Sequence, residues 1–233
     1  MATGLFEALR RYSPRENRDP LENFITEGFA WILNKYSDFG KFFLQDLEAK
    51  LKKRGREWSI GNYDCEWRTQ ENFDGKFPDM VCHFNGENKA IVFEHKTLGS
   101  DLRKNQLADY KKHANNNFAD YRIVLITATP QQHEQDPDLA LCWSDICNLI
   151  SDLISDWKKR GNSEPLIEDF QLIEDFQQLL KSVGLGPPAP ISHTSIRYYY
   201  KTRKLKKNIK NLIERVKGRE EQDEEWKKMI KKE

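Results

Sequence analysis

Residues 77–97 read Phe77-Pro78-Asp79-Met80-Val81-Cys82-His83-Phe84-Asn85-Gly86-Glu87-Asn88-Lys89-Ala90-Ile91-Val92-Phe93-Glu94-His95-Lys96-Thr97. Two short apolar runs, Asp79 to Phe84 and Ala90 to Thr97, flank Asn85-Gly86-Glu87-Asn88. Asn-Gly between such runs predicts a β-hairpin. Side chains alternate along a strand, so Glu94 and Lys96 share one face while Phe93 and His95 take the other. Closing the hairpin brings Asp79 beside Glu94 and Lys96. Two carboxylates and an ammonium converging there are costly to bury unless they bind something. Oxygen-only ligands suit Mg²⁺ or Mn²⁺ better than zinc. A metal held there would polarise a phosphate and lower the pKa of a bound water, with Lys96 placed to orient that water or stabilise developing charge. That is the chemistry of phosphodiester hydrolysis.

Upstream, Asp19-Pro20 supplies a capping side chain followed by proline at the first helical position, and Leu21, Phe24, Ile25, Gly28 and Ile32 recur at helical spacing. An amphipathic helix is predicted to about Tyr36. A second helical stretch runs from Phe42 to Lys53, and Trp58, Ile60, Tyr63, Cys65 and Trp67 give an irregular strand-like pattern. Downstream, Asp101 to Phe118 reads as a polar helix and Tyr121 to Ala128 as a buried strand ended by Pro130. The order is α, three strands, α, strand, which predicts an α/β fold with a mixed sheet. Beyond it, Trp143 to Trp157 and Pro165 to Val183 read as C-terminal helices. The second contains Leu-Ile-Glu-Asp-Phe-Gln twice in tandem, at 166–171 and 172–177, a local duplication rather than a solenoid.

No apolar run approaches the roughly 20 residues of a membrane helix, and the first residues have no signal-peptide pattern, so a cytoplasmic protein with no membrane partner is expected. Cys65, Cys82, Cys142 and Cys147 form no CxxC pair, which argues against disulfides and a zinc knuckle. The net charge of +1 conceals an asymmetry: from Arg197 onward 14 Lys or Arg face 7 Asp or Glu, leaving 24 against 30 before it. Gly184 to Pro190 is the clearest linker. The expected organisation is a core domain over 1–186, a linker over 187–196 and a basic helical tail over 197–233. In that tail Tyr198, Tyr199 and Tyr200 interleave with cations, a pattern compatible with base stacking and phosphate contact.

Phe77-Pro78-Asp79, fourteen intervening residues, and Glu94-His95-Lys96-Thr97 together resemble the motif of the PD-(D/E)xK nuclease superfamily. Gln106 and Tyr110 resemble the QxxxY element of its RecB and lambda-exonuclease branch, and Glu27 resembles that branch's upstream acidic residue, with Glu22 as a rival. Either a Pro-Asp or a Glu-x-Lys alone is ordinary; the conjunction carries the resemblance. It extends from about Phe6 to Leu185, since Trp143-Ser144-Asp145-Ile146 and the helix before Gly184 also resemble bacterial members, and it leaves out the tail after Pro190.

The resemblance implies a restriction-endonuclease-like αβββαβ core. It implies that Asp79 and Glu94, with the backbone carbonyl of His95, coordinate Mg²⁺ or Mn²⁺, that Lys96 is catalytic, and that Glu27 holds Lys96 or a second ion. Gln106 and Tyr110 would contact substrate phosphate or steady the site. The side chains of His95 and His83 are excluded from the metal site. The expected function is a metal-dependent nuclease acting on DNA rather than RNA, in repair, restriction or anti-phage defence, alone, as a homodimer or within a larger complex. The alternative is a nuclease-fold module that binds nucleic acid or a partner protein without cutting.

Overall fold

The computed structural model describes residues 20–56, 58–61, 63–160, 167–188, 194 and 197–210. The chain divides into two units at the junction of Pro188 and Ala189. In the first, α1 spans Pro20–Lys35, α2 Ser37–Lys53, β1 Cys65–Thr69, β2 Met80–Phe84, β3 Lys89–His95, α3 Gln106–Asn117, β4 Asp120–Thr127, β5 Leu139–Cys142, α4 Trp143–Arg160 and α5 Ile167–Ser182. A single 3₁₀ turn, Pro130–Gln132, precedes β5. The described part of the second unit is a helix over 197–210. Residues 1–19 of the expected core domain, most of the expected linker, and the tail beyond 210 lie outside the described residues.

The five strands lie in chain order in one mixed sheet, with β1, β2 and β3 antiparallel and β3, β4 and β5 parallel. The β2–β3 hairpin forms in the register that the alternation requires, with Met80 opposite Phe93 and His83 opposite Ala90. Its turn is closed by Glu87 N donating to Phe84 O at 3.2 Å. Gly86 takes φ +76°, a left-handed conformation that glycine adopts without a Cβ penalty.

Alternation also divides the core. Ile91 and Phe93 face one side of the sheet, packed with Phe29, Phe43, Trp143, Ile150 and Phe176, while Ala90 and Val92 face Leu107 and Tyr110 on the other. Phe29 is the centre of the larger side: it stacks on Phe176 with ring centroids 5.7 Å apart and meets Trp143 edge-on at 5.7 Å. Each such buried ring contributes about 1.5–3 kcal/mol through area removed from water, and that burial fixes how α1 and α4 lie against β3.

Three differences from the sequence reading have identifiable physical causes. The fifth strand, β5, is only four residues long, too short to show a period; its backbone pairs in parallel with Val124 to Thr127 of β4. Trp58 and Ile60 are buried from loop rather than strand, and Tyr63 is half-buried beside them. Trp58 Nε1 donates to Asp120 at 2.6 Å, and Tyr63 Oη donates to Glu48 at 2.8 Å. The helix expected from Asp101 starts at Gln106, because Asn105 adopts φ +61° and breaks helical geometry there.

Candidate metal centre

Glu94 lies near the end of β3, and the antiparallel register that pairs Met80 with Phe93 sets Asp79 opposite it. Asp79, Glu94 and Lys96 are 2%, 1% and 5% exposed, so all three are withdrawn from water. Asp79 is fixed by the His95 backbone, whose N–H donates to its Oδ2 at 2.7 Å. Lys96 Nζ lies 2.6 Å from Glu94 Oε1 and donates to the His95 carbonyl at 2.8 Å. The carbonyl singled out as a ligand by the resemblance is therefore inside the cluster, occupied by the ammonium.

The third carboxylate comes from the first turn of α1, and it is Glu22. Its Oε1 accepts from Lys96 Nζ at 3.1 Å, and its other oxygen accepts from Ser100 Oγ. Carboxylate oxygens of Glu22, Asp79 and Glu94 lie within 4.8 Å of one another, and among the described residues this is the group able to hold a metal ion. Glu27 is buried too, but it is not part of that group. The reason is azimuth. At about 100° per residue, Glu22, Thr26 and Phe29 lie on one side of α1, and Glu27 is turned about 140° away from Glu22. Thr26 and Phe29 meet His95, the former by a 2.7 Å hydrogen bond to Nδ1. In the sequence, Asp19-x-x-Glu22 has capping-box spacing, which makes Glu22 read as a local helix-start residue and hides its long-range partner.

Gln106 and Tyr110, one turn apart on α3, both reach Glu94. Gln106 Nε2 donates to Oε1 at 2.5 Å and Tyr110 Oη to Oε2 at 2.9 Å. Of the two roles implied for this pair, their geometry is that of steadying the site. Ser100 and Gln132, which the sequence reading did not single out, hold the loop after β3: Ser100 Oγ accepts from Thr97 N at 3.0 Å, and Gln132 Nε2 donates to the carbonyls of Thr97 and Ser100 at 2.8 Å each. Their sequence surroundings are ordinary loop chemistry and carry no signal. Trp143 braces the strand end from behind, its indole N–H donating to the Lys96 carbonyl at 3.2 Å.

The electrostatics are those of a site short of positive charge. Burial, then the neighbouring charge of Glu94, pushes the Asp79 carboxyl well above its ordinary range, and burial likewise raises Glu94. Burial opposes the charge on Lys96, but the carboxylates of Glu94, Asp79 and Glu22 outweigh it and hold its pKa above the ordinary lysine value. Three carboxylates face one ammonium. His95, by contrast, points into the apolar side, where burial and the charge of Lys96 push its pKa down to about 3, so the ring stays neutral. The ring packs 5.0 Å from Trp143, away from the acidic cluster. His83 lies on β2 against Glu71, also outside the cluster.

Hard oxygen donors, a surplus of negative charge and burial together suit a divalent cation. The buried triad can therefore hold a metal ion. Among the described residues no helix is long and apolar enough to cross a membrane. No protein-family model, curated protein or solved structure matches this chain.

Proposed function

We propose that this chain is a divalent-metal-dependent nuclease of the PD-(D/E)xK type, with a restriction-endonuclease-like core, hydrolysing DNA phosphodiester bonds. The observation that carries the reading is the meeting of Asp79, Glu94 and Glu22 around Lys96 at the end of the β2–β3 hairpin. Mg²⁺ or Mn²⁺ bound by these carboxylates would supply Lewis-acid polarisation of a phosphate and an acidified water. The remaining work belongs to the chain. The His95 N–H holds Asp79 through Oδ2, and Gln106 and Tyr110 fix both oxygens of Glu94, so the acidic pair is preorganised. Glu22 positions the Lys96 ammonium, whose charge would stabilise the negative charge that develops on phosphate.

The test is incubation of the protein with linear, circular and single-stranded DNA, and with RNA, in Mg²⁺, Mn²⁺ or EDTA. DNA cut in either ion and intact in EDTA supports the reading. Binding without cleavage under any divalent ion favours the second reading, a non-cutting module. One observation favours that alternative: the ammonium of Lys96 already bridges Glu22, Glu94 and the His95 carbonyl as an internal counter-ion.

The role of Glu22 can be separated from that of Glu27. Glu22→Gln is expected to lower cleavage at least about 10-fold, as loss of a residue orienting a metal site does. Glu27→Gln should leave the rate close to wild type. Equal rates for the two variants, or a larger loss at Glu27, would return the upstream acidic role to Glu27.

A further inference from the structure

We infer that the helix over 197–210 is a docking arm for single-stranded nucleic acid. Its fourteen residues, Arg197-Tyr198-Tyr199-Tyr200-Lys201-Thr202-Arg203-Lys204-Leu205-Lys206-Lys207-Asn208-Ile209-Lys210, carry seven cations and no carboxylate. All of them are exposed, and the three tyrosines are 63–64% exposed despite their large apolar rings. Lysines and arginines recur three and four residues apart, as at Lys201–Lys204, Arg203–Lys207 and Lys206–Lys210, where like charges repel along a helix. Helices that carry such charge without cost usually alternate it with acids; this one offers only positive charge, which complements a polyanion.

The charge is also arranged. At about 100° per residue, Tyr199, Arg203, Lys206, Lys207 and Lys210 fall within an arc of roughly 100°. Tyr199, Thr202, Arg203 and Lys206 line an open hollow of about 370 Å³ on the helix. An aromatic ring among cations on one face is the arrangement that takes a stacked base while neighbouring ammonium and guanidinium groups meet phosphates. Unpaired bases can reach such a ring, whereas those of a duplex are already stacked, so the strand is single. The adjoining side of the helix carries Tyr198, Thr202, Leu205 and Ile209 at spacings of four, three and four. A second copy of the chain packed there would bring two helices of like charge together, so charge complementarity favours nucleic acid as the occupant.

The inference does not depend on the hydrolysis reading, and its test is run in EDTA so that cleavage plays no part. Fluorescence anisotropy of labelled single-stranded and duplex DNA is followed from about 50 to 200 mM salt with the full chain. The comparison is with Tyr199→Ala and with a variant carrying Arg203→Gln, Lys206→Gln, Lys207→Gln and Lys210→Gln. Circular dichroism checks that each variant keeps its fold. Wild type should prefer the single strand. The four-fold glutamine variant should lower the slope of log affinity against log salt by about 3, since each phosphate contact contributes about 0.7 on a single strand. Tyr199→Ala should weaken single-strand binding about 10-fold and leave that slope unchanged. An unchanged slope in the glutamine variant overturns the inference. So does binding by wild type to phosphatidylserine vesicles but not to DNA, tighter binding of the duplex, or a change in oligomeric state with DNA binding intact.

Discussion

Replacing Asp79 with Asn is expected to lower metal-dependent cleavage by on the order of 10³-fold while making the protein more stable in EDTA at neutral pH. The two effects have one cause. Asp79 is buried beside Glu94, and burial and that neighbouring charge raise its pKa well above the ordinary 3.8. A carboxyl whose folded pKa is raised contributes stability that is fully present below its unfolded value and is lost as pH rises through the folded value. Toward neutral pH the buried carboxyl therefore opposes folding. Asn has no charge to desolvate, and its Oδ1 can still accept the hydrogen bond from His95 N that Asp79 Oδ2 now accepts at 2.7 Å. Thermal melts in EDTA should show the variant melting near wild type at about pH 4 and above it at neutral pH, with each kcal/mol worth about 2–4 °C in a chain of this size. Excess Mg²⁺ should close the gap by stabilising wild type alone. A variant that melts below wild type at neutral pH in EDTA would mean that the carboxylate is a net stabiliser there.

Lys96→Met should act in the opposite direction, and strongly. Lys96 is 5% exposed and its ammonium lies 3.1 Å from Glu22 and 2.6 Å from Glu94, so its removal strands three buried carboxylates with no counter-charge. Breaking a buried ion pair from one side costs about 3–5 kcal/mol. That predicts a fall in melting temperature on the order of 10 °C in EDTA. Because the ammonium and a divalent ion lay claim to the same oxygens, the variant should gain more stability from Mg²⁺ than wild type does. Adding Glu22→Gln to Lys96→Met should restore part of the loss by removing one unpaired charge, a coupling that a double-mutant cycle measures. Equal stabilisation of wild type and Lys96→Met by the ion would show that Lys96 and the metal do not compete. Cleavage by Lys96→Met at the wild-type rate would remove the lysine from the reaction.

Both expectations rest on residues that are legible in the sequence. Asp79, Glu94 and Lys96 are readable because their convergence depends on short-range rules alone, a period of two along a strand and an Asn-Gly turn that fixes the register. Gln106 and Tyr110 are readable as a pair on one helical face, but their choice between phosphate and Glu94 is not, since it depends on how closely α3 lies on the sheet. The basic character of 197–210 is readable from composition, and its helix from the absence of Gly and Pro.

The sequence by itself determined the α/β class, the mixed sheet's central hairpin and the acidic pair with its lysine, all set by residues close along the chain. Only the tertiary structure decided that Glu22 rather than Glu27 completes the cluster, that four residues at 139–142 add a fifth strand, and that Ser100 and Gln132 hold the loop beside the site. The difference is physical. Which face of α1 meets β3 is fixed by Phe29 packing against Trp143 and Phe176, more than a hundred residues away. A helical period reports that a face exists, and only packing between distant segments turns that face toward a particular strand.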